Sequence, residues 1–80
     1  MIEYNCLVKN INKFSVEEYL GEYDANRSLQ ENGFDSLDFI KLVVELESIY
    51  QCVIVDEIYY LNLNMKGEEI YDCLKKSFKE

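Results

Sequence analysis

Residues 36–50, "SLDFIKLVVELESIY", place apolar side chains on two opposite sides of a single helix, and a short chain can bury only one of them. At about 100° per residue, Phe39, Leu42, Val43, Leu46, Ile49 and Tyr50 fall within one arc of roughly 120°, the width with which a helix lies on a core. Leu37, Ile40 and Val44 fall on nearly the opposite side, with Glu47 on one flank and Asp38, Lys41, Glu45 and Ser48 on the other. Burying both groups would need a second layer of structure, which a chain of 80 residues can hardly supply. The first arc is therefore expected to hold the fold. The second is expected to stay exposed as an apolar strip with a charged rim, the form of a docking surface.

With no proline, internal repeat or low-complexity tract, the rest of the chain divides by periodicity. Tyr4, Leu7, Val8 and Ile11 follow the i, i+3, i+4, i+7 spacing of a buried helical stripe, although Asn5, Asn10 and Asn12 are mediocre helix formers. Between Ser15 and Asn32 the pattern loosens. "SVEE" (15–18) and "SLQE" (28–31) read there as capping boxes of short turns, and Gly33 is placed to close the second in a left-handed conformation. Such a long connection requires Val16, Leu20 and Leu29 to pack back on the helices, which makes it an ordered loop. "CVIV" at 52–55 favours a strand, but a lone strand has no partner, so 51–55 is read as extended linker. Asp56 then caps a short helix to about Leu61, and a last helix runs from Gly67 to Phe78 carrying Ile70, Leu74 and Phe78. The expected fold is all-α and a single domain over residues 1–80: a small four-helix bundle of three longer helices and one short one, with a long ordered loop between helices one and two.

A net charge of -8 opposes binding to phosphate backbones, so nucleic acids and anionic membranes are excluded as partners and basic protein surfaces are favoured. Cys6, Cys52 and Cys73 form no CxxC pair, and the chain holds no histidine to complete a zinc site. Buried free thiols in a reducing cytoplasm are expected. No apolar run has the length of a membrane span, and the N-terminus lacks the pattern of a signal peptide.

Ser36 is the residue whose chemistry is open. By itself the triplet "DSL" reads as a helix N-cap at the serine, with Asp35 and Asp38 favouring the dipole. No histidine is present to act as its base, so self-contained serine catalysis is not expected, and no catalytic or metal-binding residues are assigned. Modification by another enzyme remains. A phosphate ester at Ser36 would sit at a helix N-terminus, where free N–H groups and the positive dipole end favour an anion, and it would emerge beside Ile40 and Glu47.

The stretch "GFDSLDFIKLVVELESIY" resembles the modification site and second helix of the acyl carrier protein family, whose members carry a G-x-D-S-L signature before an apolar-rich helix. The similarity extends over nearly the whole chain, through a first helix, the "SLQENG" turn, an acidic "VDE" start to a short third helix, and a closing fourth. The resemblance implies a non-catalytic, monomeric carrier. In such proteins a phosphopantetheinyl transferase, with magnesium and coenzyme A, attaches 4′-phosphopantetheine to the serine matching Ser36, and the arm's thiol carries acyl groups as thioesters. The resemblance also implies that Asp35, Leu37, Asp38, Ile40, Val44 and Glu47 meet the basic docking surfaces of loading and processing enzymes. Lys41 stands where fatty-acid carriers are commonly acidic, which leans toward a polyketide-like pathway; Val55 stands where proline is frequent, and the first helix is rich in asparagine. Two other readings are an aminoacyl or peptidyl carrier of nonribosomal synthesis or D-alanine transfer, and an unmodified carrier-like adaptor. Peptidyl carriers usually show a G-G-x-S-type signature, which this chain lacks.

Overall fold

The computed structural model describes residues 2–51 and 62–77, which contain three α-helices and no strand: α1 (Tyr4–Glu17), α2 (Ser36–Tyr50) and α3 (Gly67–Ser77). The linker and short helix expected between 52 and 61, together with Cys52, Val55 and Phe78, lie outside the described residues.

The tyrosine-to-isoleucine stripe of α1 does what its spacing requires. Leu7 and Ile11 are fully buried, Tyr4 and Val8 are half-buried, and α1 packs against both α2 and α3. Leu42, Val43 and Leu46 meet it from α2, and Ile70 and Leu74 from α3, with Leu29, Phe34, Tyr23 and Met65 closing the core from the connections. Phe39 and Tyr50 pack against its edge. Ile49, assigned to the same arc, is exposed; it stands at one edge of the arc in the last turn of α2. Cys6 is likewise exposed rather than buried, since it lies on the side of α1 opposite the stripe; Cys73 is half-buried against the core.

The first of the two capping boxes is not one. α1 continues through Ser15 to Glu17, and Ser15, wholly buried, donates its hydroxyl to the Gly21 carbonyl at 2.7 Å. Because the helix runs on, Val16 falls off the buried stripe and is exposed instead of packing back. Leu20 and Leu29 do pack back, and the second box is real: the Ser28 N–H donates to Glu31 Oε1 at 2.9 Å and the Glu31 N–H to Ser28 Oγ at 3.0 Å. Gly33, at φ 94°, closes that turn with Phe34 N–H donating to the Leu29 carbonyl at 3.0 Å.

Asparagines that weaken the helix as propensity serve the fold as tertiary bonds. Asn12 accepts from the Tyr23 N–H at 2.7 Å, and Asn10 donates to the Tyr50 hydroxyl at 2.9 Å. Within the loop, Asn32 accepts from the Asp24 N–H and donates to the Asp24 and Ser28 carbonyls, at 2.8–2.9 Å. Leu29 and Gln30 donate across to the Met65 and Leu63 carbonyls, so the loop is an ordered part of the fold.

At Gly67 the start of α3 touches that loop. The Gly67 N–H donates to the Ala25 carbonyl at 2.9 Å, and a Cβ at Gly67 would stand 2.8 Å from the Ala25 Cβ and 3.0 Å from the Tyr4 hydroxyl oxygen. Ala25 Cβ is fixed to the backbone and cannot swing aside. Gly67→Ala is therefore expected to cost about 1–3 kcal/mol as overpacking, despite alanine's better helix propensity. Denaturant melts check it, and an unchanged midpoint would show that the contact relaxes freely.

Candidate functional site

The entry to α2 is fixed on both sides before any chemistry is considered. Upstream, Phe34 is buried and stacks on Phe14 with ring centroids 5.9 Å apart, which sets where the chain enters the helix. At the helix start, Asp35 Oδ1 accepts from the Asp38 N–H at 2.9 Å and Asp38 Oδ2 accepts from the Asp35 N–H at 3.1 Å, a reciprocal capping box. Asp35 is thus the N-cap, and Ser36 is the first helical residue rather than the cap.

This corrects the expected state of the helix N-terminus. The Asp38 N–H that would favour an anion on Ser36 is already given to the Asp35 carboxylate. Ser36 itself is exposed at the surface. A phosphodiester there would have two carboxylates for neighbours and would be turned toward solvent, with the dipole in its favour and Asp35 and Asp38 against it.

The Asp38 backbone N–H holds the Asp35 carboxyl below the usual carboxylate range, and the Ser28 backbone N–H does the same for Glu31. A carboxyl whose folded pKa is depressed stabilises the fold above its unfolded value and loses that contribution as pH falls through the folded one. The contribution of both caps is thus complete above about pH 5 and fades below about pH 4. Asp35→Asn keeps an acceptor but removes the titration, so its melting temperature should fall less than that of the parent chain as pH is lowered from about 5 to below about 4. Circular-dichroism melts of the two proteins compare them directly. Parallel slopes would mean that the titration of Asp35 adds nothing to the acid response, which then rests on other carboxyls such as Glu31.

Along α2, the strip is where the helical wheel placed it. Leu37, Ile40 and Val44 are 60%, 53% and 58% exposed, with Asp38 and Glu47 half-buried at its flanks. The six residues Asp35, Leu37, Asp38, Ile40, Val44 and Glu47 therefore lie on one helix and its cap, running from Ser36 along the side away from the core. One neighbour was not visible in the sequence. Lys41, on the flank opposite Ser36, pairs with Glu18 Oε1 at 3.3 Å, bringing the end of α1 alongside the strip. No local pattern links residues 23 apart; only the packing of α1 on α2 does.

A cleft of about 720 Å³ opens elsewhere, at the start of α3, lined by Ala25, Asn26, Asn64, Lys66, Glu68 and Glu69. None of the site residues above lines it. No helix among the described residues is long and apolar enough to cross a membrane. Comparison with protein-family models, curated proteins and solved structures found no match for this chain.

Proposed function

We propose that this chain is a non-catalytic acyl carrier, holding acyl groups as thioesters on a 4′-phosphopantetheine arm attached to Ser36. The observation that carries the reading is the pairing of an exposed serine at the first position of a capped helix with an exposed apolar strip beginning beside it. A core-building helix has no use for the strip, and Asp35 has already taken the capping role from the serine. The resemblance of "GFDSL" and the helix after it to the acyl carrier family supplies the chemistry.

In this reading Ser36 Oγ forms a bond to the phosphorus carrying pantetheine. The pyrophosphate bond of coenzyme A breaks, adenosine 3′,5′-bisphosphate leaves, and the serine proton passes to the transferase. The arm supplies a thiol. The protein contributes what its own residues can: Ser36 as the acceptor, a rigid capped helix that holds it at a fixed angle, and a strip rimmed by Asp35, Asp38 and Glu47 for partners with basic surfaces. Those partners are the phosphopantetheinyl transferase and the enzymes of fatty-acid or polyketide-like synthesis.

Intact-mass spectrometry after incubation with coenzyme A, magnesium and a broad-specificity phosphopantetheinyl transferase tests the reading. One phosphopantetheine should be added, located to the peptide containing Ser36. A chain that gains no mass would be an adaptor binding proteins through Leu37, Ile40 and Val44 alone, and the carrier reading would be withdrawn.

A further inference from the structure

Tyr19 sits on a strained backbone, and its side chain lies almost wholly in solvent. It follows the C-cap of α1 in a motif whose two bonds run from the Tyr19 N–H to the Val16 carbonyl at 3.1 Å and from the Leu20 N–H to the Ser15 carbonyl at 2.8 Å. That geometry puts its residue in the left-handed region, and Tyr19 has φ 63°. Glycine is the usual occupant because a Cβ is strained there. Here stands a tyrosine that is 96% exposed. A strained backbone carrying a large ring in solvent is poor economy for stability, and tyrosine is among the residues that anchor protein interfaces.

Its surroundings are those of an interface. Val16, one turn before it, is 46% exposed, and Glu18, its immediate neighbour, reaches Lys41 on the flank of the strip. The Lys41 charge, which alone would repel a basic partner, is matched by Glu18. Glu17 and Glu22, close to Tyr19 in sequence, and Glu45, one turn after Lys41, are also exposed. With a net charge of -8, a second copy of the chain would be repelled, whereas a basic protein would be drawn in.

We infer that Tyr19 and Val16 extend the docking surface beyond α2, and that the partner seated on both is the basic arm-loading transferase, with Tyr19 inserted into an apolar pocket on it. The inference rests on the carrier reading, since the transferase must come to Ser36. Glu18, the residue before Tyr19, pairs with Lys41 on the flank of the strip opposite Ser36, so a partner that covers the strip from the Ser36 side reaches toward the end of α1.

The test is the KM for the carrier in transfer of the arm from coenzyme A, measured on the parent chain, Tyr19→Gly and Tyr19→Phe, alongside thermal melts. Tyr19→Gly should raise KM about fivefold or more while its melting temperature holds or rises, because glycine relieves the backbone as it removes the ring. Tyr19→Phe should keep the parent KM. The parent KM should also rise with ionic strength. An unchanged KM in Tyr19→Gly, or a KM rise accompanied by a lower melting temperature, overturns the inference and leaves the carrier reading standing. If the parent chain accepts no arm, both fall. Self-association of the parent chain that Tyr19→Gly abolishes in sedimentation would assign the ring to a second copy and overturn it as well.

Discussion

Ser36→Ala should take up no phosphopantetheine under conditions that load the parent chain fully, and should melt at the parent temperature. Both halves follow from the position of the serine. In the proposed reading Ser36, the one hydroxyl at the head of the strip among the described residues, is the acceptor, and an alanine in its place has no atom to bond phosphorus. As the first helical residue, with the cap supplied by Asp35, it contributes no bond that alanine would lose. Asp35→Ala should behave in the reverse way. It removes the acceptor for the Asp38 N–H and leaves the Asp38 carboxylate with half of a reciprocal pair, so the chain should melt lower while still accepting the arm, at a rate reduced by the lost charge at the docking rim. A serine that served as cap would show both losses in one variant. Loading that persists in Ser36→Ala would place the acceptor elsewhere and end the proposed assignment.

The division between Asp35 and Ser36 was within reach of the sequence. Both residue types cap helices, but the capping box needs a side chain three positions on that can return a bond. Three after Asp35 stands Asp38; three after Ser36 stands Phe39, which cannot. The same rule misleads at "SVEE". There it is satisfied locally, yet the helix runs through, and the Glu18 N–H that the Ser15 hydroxyl would have to accept is given to the Phe14 carbonyl at 2.9 Å. A capping box states what a serine is able to bond, and a helix that continues past it leaves no free N–H for it to accept. The two-sided pattern of α2 survived folding because it rests on area rather than on one bond: Leu42, Val43 and Leu46 are buried on one face, Leu37, Ile40 and Val44 are left exposed on the other, and a single core receives only the first. Glu18 and Lys41 lay beyond sequence reasoning for the opposite reason, since a surface ion pair leaves no periodic trace. Tyr19 was hidden by the same misplaced boundary, because its left-handed role exists only when α1 ends at Glu17.

Leu46→Ala and Ile40→Asp, six positions apart on α2, should separate the two faces more sharply than any pair of changes elsewhere. Leu46 is 2% exposed in a core shared by all three described helices, so truncation to alanine leaves a cavity and is expected to cost about 2–5 kcal/mol. A chain of 80 residues has about 4–12 kcal/mol in all, and loss on that scale should lower the melting temperature by about 10 °C or more. Whatever of Leu46→Ala remains folded should still load, because its strip is untouched. Ile40, half in solvent, loses little on becoming aspartate: the fold should change by no more than about 1 kcal/mol, mostly helix propensity. Its cost appears in docking, where an apolar contact at the centre of the strip is replaced by a charge that must be desolvated against the partner, and the KM for the carrier should rise with kcat little altered. Chemical melts and loading kinetics on the two variants therefore give opposite signatures. If Ile40→Asp unfolds the chain, a further element covers the strip and it is core. If both variants load and melt alike, the division of α2 into a face that folds and a face that docks is wrong, and the carrier reading loses the surface on which its partners were placed.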